Sequence, residues 1–147
     1  MNLIFALPLL LQGFIIAIDE FYFHYHRGLP PWERIGHPLD SLSLLCCYLF
    51  VLLAQATETN ILIYAALSCL SCIFVTKDEF VHTGLCSKGE NWLHALLFIL
   101  HPICLYSIYR FWIKAEFQNL LLIQTGLIFS FMIYQFVFWQ FFKREIK

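Results

Sequence analysis

The stretch DEFYFHYHRGLPPWERIGHPLD, Asp19 to Asp40, lies between two apolar runs and has a partial copy in DEFVHTGLCSKGENWLHALLFILH, Asp78 to His101. Each copy opens on Asp-Glu-Phe, places a His shortly after, crosses a Gly-containing turn and closes with Glu-x-x-x-His at the head of an apolar run. The chain has ten acidic residues and six His, and thirteen of these sixteen fall in the two segments. A polar turn flanked by apolar runs is what joins two antiparallel helices. Its repetition predicts two helix pairs, about 3–56 and 61–113, related by a pseudo-twofold axis.

The surroundings decide which solvent those helices meet. The chain is 61% hydrophobic and 13% charged and contains 16 Phe, whereas a soluble domain carries about 25% charged and about 45–50% apolar residues. This composition predicts an all-α integral membrane protein, and its 147 residues predict a single domain. Crossing a hydrocarbon core of about 30 Å takes about 20 apolar residues. Five runs qualify, approximately 3–23, 38–56, 61–80, 92–113 and 120–142. The first four form the repeated unit, expected to be a four-helix bundle, and the fifth has no counterpart. Gln55, Thr57, Glu58, Thr59 and Asn60 supply a tight turn between the second and third. The first run has no basic residue after Met1 and no small-x-small cleavage site before Asp19, so it is read as an uncleaved helix.

Orientation follows from Lys and Arg, which are in excess in cytoplasmic loops. With the N-terminus outside, Arg27, Arg34, Lys77, Lys88, Lys143, Arg144 and Lys147 are cytoplasmic, and only Arg110 and Lys114 are outside. Both polar segments then lie at the cytoplasmic side of a cell membrane.

The acids of these segments need cations. Asp19, Glu20, Glu33, Asp40, Asp78, Glu79 and Glu90 outnumber Arg27, Arg34 and Lys88 within the segments and Lys77 at their edge. Charged groups near lipid are costly and find partners in a bundle interior. Two divalent metal ions would neutralise them. Residues three or four apart share a helix face, so Glu20 with His24, Glu33 with His37, Glu79 with His82 and Glu90 with His94 form four candidate ligand pairs. Asp19, His26, Asp40, Asp78 and His101 are candidates for further ligands or for the shell that orients ligating imidazoles. A simpler reading exists for two of the acids. Glu90 follows Ser87 by three residues, a capping box, and Glu33 follows Pro31 at a helix start; capping and ligation then compete for one carboxylate.

In four-helix di-iron and di-manganese carboxylate proteins, two helices give a Glu and two give Glu-x-x-His, all pointing inward. This chain resembles them in ligand pattern alone. Only Glu79 to His82 has the strict spacing, and the other three pairs are one residue longer. The resemblance implies a di-iron centre, with zinc or manganese as alternatives for a carboxylate and imidazole set.

Several chemistries lack their motifs: the zinc-protease His-Glu-x-x-His, the Gly-x-Ser-x-Gly elbow, Gly-rich phosphate loops, the Rossmann fingerprint and the His boxes of membrane desaturases. Nucleic-acid binding is disfavoured by the absence of basic patches. The six Cys lie mostly in apolar runs and predict no disulfide framework, and Cys69 and Cys72 are read as small residues at a helix contact. Three functions remain. The first expectation is a membrane oxidoreductase acting on a lipophilic substrate such as a lipid or quinone, with an electron donor. The others are a zinc hydrolase using Asp40 or Asp78 as general base, and a metal transporter or sensor. A haem between His37 and His94 is a weaker fourth, because of the surrounding acids.

Overall fold

The computed structural model describes residues 3–77 and 84–143. Within them the chain forms five long helices, α1 (Leu7–Arg27), α2 (Pro31–Leu53), α3 (Glu58–Val75), α4 (Lys88–Lys114) and α5 (Gln118–Phe142), each long and apolar enough to cross a membrane. The helical candidates expected near residues 78–83, among them Asp78, Glu79 and His82, lie outside the described residues.

Two boundaries differ from the sequence reading. Helix α2 starts at Pro31, seven residues before the apolar run. Proline has no N–H to satisfy in a first turn and its fixed φ suits one, so Glu33, Arg34 and His37 are helical rather than part of a loop. Pro38 lies inside α2 and is tolerated there, although it leaves the carbonyl of Arg34 without its intrahelical donor. Helix α3 ends at Val75, where the Thr76 hydroxyl donates back to the Ile73 carbonyl at 2.8 Å. At its start, the Thr57 side chain accepts from the Asn60 amide and Asn60 Nδ2 donates to the Gln55 carbonyl. The short polar turn is thus an N-cap.

Helix α1 lies along α4, and α2 lies along both α3 and α5. Ring contacts of Phe21 with Phe131 and Tyr134, and of Tyr25 with Phe138, bring α5 against α1 as well. The fifth helix is therefore a wall of the bundle, not an appendage. At the end remote from the acids, Leu9, Tyr48, Val51, Leu105, Ile108, Phe111 and Leu121 form a closed apolar core. Large apolar side chains also face outward along every helix, including Phe14, Leu49, Leu62, Leu70, Ile99, Ile103, Leu122, Leu127 and Ile133. A helix in water carries polar residues on that face.

Trp112 illustrates how the core end is fastened. Its ring is buried, and Nε1 donates to the Ala54 carbonyl at 2.8 Å, closing the C-terminus of α2. Trp112→Phe keeps an aromatic ring but strips the donor from a buried carbonyl, a loss of about 1–3 kcal/mol. A corresponding fall in the unfolding midpoint in detergent is expected; an unchanged midpoint would mean that water reaches Ala54. The described cysteines are all free thiols, with Cys47 and Cys104 fully buried. Cys72 packs against the core while Cys69 faces outward, so only one of that pair is a helix contact.

Candidate metal centre

Helix α1 widens where the acids begin. Asp19–His24 is a π-helical turn, in which hydrogen bonds run between residues five apart. Residues five apart are thereby brought nearly above one another, so Asp19 joins Glu20 on the face of His24. His24 Nε2 lies 3.3 Å from Asp19 Oδ2, and Nδ1 lies 3.5 Å from Glu20 Oε2. Regular helical spacing finds only the Glu20 and His24 pair. The π turn adds the second carboxylate.

Helix α4 brings the next ligands. Ser87 caps it: the Ser87 hydroxyl accepts from the Glu90 amide at 3.2 Å, and the Ser87 amide donates to Glu90 Oε2 at 3.3 Å. Glu90 Oε1 faces the other way and lies 3.7 Å from His24 Nε2. The expected competition between capping and the site does not arise, because the two oxygens divide the work. One turn further on, His94 Nε2 lies 3.1 Å from Asp19 Oδ1.

The third element is the turn between α1 and α2. Gly28 has φ 80° and ψ 164°, a conformation open essentially only to glycine. It folds the chain back within three residues, and Leu29 beside it is fully buried. Arg27 is thereby laid between two carboxylates. Its Nη2 donates to Glu33 Oε2 at 2.7 Å and lies 2.9 Å from Glu90 Oε1, while Nε donates to Glu90 Oε1 at 3.1 Å. His37 completes this side, with Nε2 4.0 Å from Glu33 Oε2 and its ring centroid 4.6 Å from that of His24.

Arg27 was missed as a site residue by counting charges over whole segments. The signal was present in the shortness of Gly28-Leu29-Pro30, which forces residue 27 beside the start of α2. Two more site residues come from α5. Trp139 Nε1 donates to Glu20 Oε1 at 2.6 Å, and Gln135 Nε2 donates to Glu20 Oε2 at 3.1 Å. Ser41 of α2 in turn donates to Gln135 Oε1 at 2.9 Å. Gln135 and Trp139 are four apart and so share a face of α5, and that spacing could have flagged them.

The remaining candidates lie apart from the cluster. His26 is exposed, its Nδ1 2.6 Å from the Tyr22 carbonyl of its own helix. Asp40 receives Lys77 Nζ on both oxygens at 2.7 Å. Asp40→Asn is therefore expected to leave metal content unchanged; a loss comparable to that of a ligand variant would place Asp40 in the centre. Cys86, in the turn before α4, is pushed up to about 12, chiefly by burial, with Arg27 opposing and the Glu90 carboxylate adding to the shift.

His101 lies two turns below His94 in a hydrogen-bond chain. The Ser43 hydroxyl donates to the Asp40 carbonyl at 2.8 Å. A hydroxyl has one proton, so in the 2.9 Å contact between Ser43 and Ser71 the donor is Ser71. Ser71 Oγ must then accept from His101 Nε2, also at 2.9 Å. His101 Nδ1 is left to accept from Gln12 Nε2 at 3.0 Å. His101 is therefore a neutral imidazole with both nitrogens engaged. Between it and the acids is a cavity of about 110 Å³ whose lining includes His24, His94, Gln12 and His101 with Leu44, Phe98 and Phe131.

Asp19, Glu20, Glu33 and Glu90 are all buried. Asp19, His24, Glu90 and His94 offer ligand atoms within 4.8 Å of one another and can hold a metal ion; His24, Glu33 and His37 form a second group that shares His24. Metal bonds of about 2.1 Å put neighbouring ligands about 3.4 Å apart in a tetrahedral site. The separations of 3.1, 3.3 and 3.7 Å around His24 and Asp19 span that value. Comparison with protein-family models, curated proteins and solved structures finds no match.

Proposed function

We propose that this chain is an integral membrane protein that binds a metal ion through Asp19, His24, Glu90 and His94 and uses it for oxidative chemistry on a small lipophilic substrate. The observation that carries the reading is His24. Its side chain is 1% exposed, and carboxylates of Asp19, Glu20 and Glu90 lie within 3.7 Å of its two ring nitrogens. A neutral imidazole would turn a lone pair toward one of those carboxylates, and burying such a group without a partner is costly. A second proton or a metal ion on the ring removes the conflict, and His94, whose ligand atom gathers with those of Asp19, His24 and Glu90, favours the ion.

The chemistry follows from what surrounds the ion. Two carboxylates and two imidazoles suit iron, manganese or zinc, and iron is the redox-active choice. The adjoining cavity, at about 110 Å³, is smaller than the roughly 150 Å³ apolar cavity that accommodates benzene, so it takes a few heavy atoms or the end of a longer chain. Oxygen chemistry beside Phe98 and Phe131 also requires an external electron donor. Hydrolysis is less favoured because Asp40, one of its two candidate bases, is engaged by Lys77; the other, Asp78, lies outside the described residues. Transport is less favoured because the closed apolar core lies in the way of a path to the far end.

The membrane assignment rests on the outward apolar faces and the five helix lengths. Arg27, Arg34, Lys77, Lys88 and Lys143 lie at the helix ends nearest the site, against Arg110 and Lys114 at the other end, which favours a cytoplasmic site and an external N-terminus. The pseudo-twofold relation of the two helix pairs rests on the doubled sequence pattern. Elemental analysis and the visible spectrum of detergent-purified protein, made without a His tag, test the whole reading. Iron bound stoichiometrically is expected. Colourless protein with zinc would move hydrolysis ahead, and protein that takes up no transition metal on reconstitution would end the metal reading.

A further inference from the structure

We propose that Arg27 is a built-in cation that limits the centre to a single metal ion. This rests on the reading of Asp19, His24, Glu90 and His94 as a metal site. The acids at this end of the bundle carry enough ligand atoms for two ions, since Glu33 and His37 form a second group with His24. The guanidinium occupies the charge position of that second ion. It contacts Glu33 Oε2 at 2.7 Å and Glu90 Oε1 at 2.9 Å, bridging two carboxylates as a metal would.

The side chain is held there by covalent geometry as well as by charge. Gly28 reverses the chain directly after Arg27, Leu29 is fully buried, and Arg34 Nε donates to the Leu29 carbonyl at 2.8 Å, fixing the turn. A second divalent ion bonded to Glu33 would lie against the guanidinium, and the repulsion of two cations at such range is large wherever water is excluded. Arginine does not deprotonate in proteins, so the block cannot be lifted by losing a proton. The two groups differ in charge: the first has Asp19 beside Glu90 to hold an ion, whereas the one carboxylate of the second, Glu33, is already paired with the guanidinium, so Arg27 leaves the first ion in place and acts there as a hydrogen-bond donor that orients Glu90.

The test is manganese stoichiometry in the full chain, reconstituted in detergent with Mn(II) and read by elemental analysis and electron paramagnetic resonance. Wild type is expected to bind one Mn(II) with the spectrum of an isolated ion. Arg27→Gln, which keeps hydrogen bonding but removes the charge, is expected to bind two with the spectrum of a coupled pair. Arg27→Lys, which keeps the charge, is expected to bind one. One ion in Arg27→Gln, or two in wild type, would overturn the proposal. Wild type binding none would sink the resident-metal reading and the single-ion limit with it, whether or not Arg27→Gln gains an ion, whereas one ion in both wild type and Arg27→Gln would sink the limit alone. If Arg27→Gln folds poorly, Mn(II) in the growth medium should restore it, because the ion replaces the missing charge, and failure of that rescue counts against the proposal.

Discussion

His24→Ala is expected to abolish stoichiometric metal binding while the bundle still folds. Loss of a residue that merely orients a ligand costs about 10- to 100-fold in metal affinity, so losing the ligand shared by both groups should cost more than about 100-fold. The imidazole is buried among Asp19, Glu20 and Glu90. His26→Ala is the matched control, since that ring is exposed and faces its own helix. Metal content measured side by side in the two variants decides the matter. Equal retention in both would remove His24 from the ligand set.

Trp139→Phe carries the second large effect, and it reports on stability and binding together. The indole donates to a carboxylate that is 2% exposed, and hydrogen bonds to charged groups contribute about 1.5–3 kcal/mol. Phenylalanine fills most of the space but leaves Glu20 Oε1 without its donor. The freed carboxylate should then tilt toward His24, lowering metal affinity by about 10- to 100-fold. Thermal unfolding in detergent gives the first quantity and metal titration the second. Lowered stability with unaltered affinity would mean that Glu20 fastens α5 to α1 and has no influence on the centre.

The five helices were legible because apolar runs of the right length say where a chain can cross lipid without reference to partners. The helix start at Pro31 was legible from the proline itself, although the apolar run that marks the lipid-crossing part of α2 begins only at Pro38. Glu20, His24, Glu33, His37, Glu90 and His94 lie together at one end, as their spacing suggested. Asp19 enters through the π turn, which no regular periodicity anticipates. The role of Arg27 depends on a three-residue turn, and those of Gln135 and Trp139 on α5 packing against α1. Charge counting included Arg27 among the basic residues but could not place its guanidinium between Glu33 and Glu90.

The chain of donors from Gln12 through His101, Ser71 and Ser43 to the Asp40 carbonyl has a consequence for the whole bundle. Every hydrogen bond in it runs the same way, so the layer is a row of aligned dipoles around a neutral His101. His101 could become an imidazolium only by turning Gln12 over. Below this layer the core is closed, and above it lie the acids and Arg27. The buried acids Asp19, Glu20, Glu33 and Glu90 are therefore all gathered on one side of the layer, and the other side is apolar core.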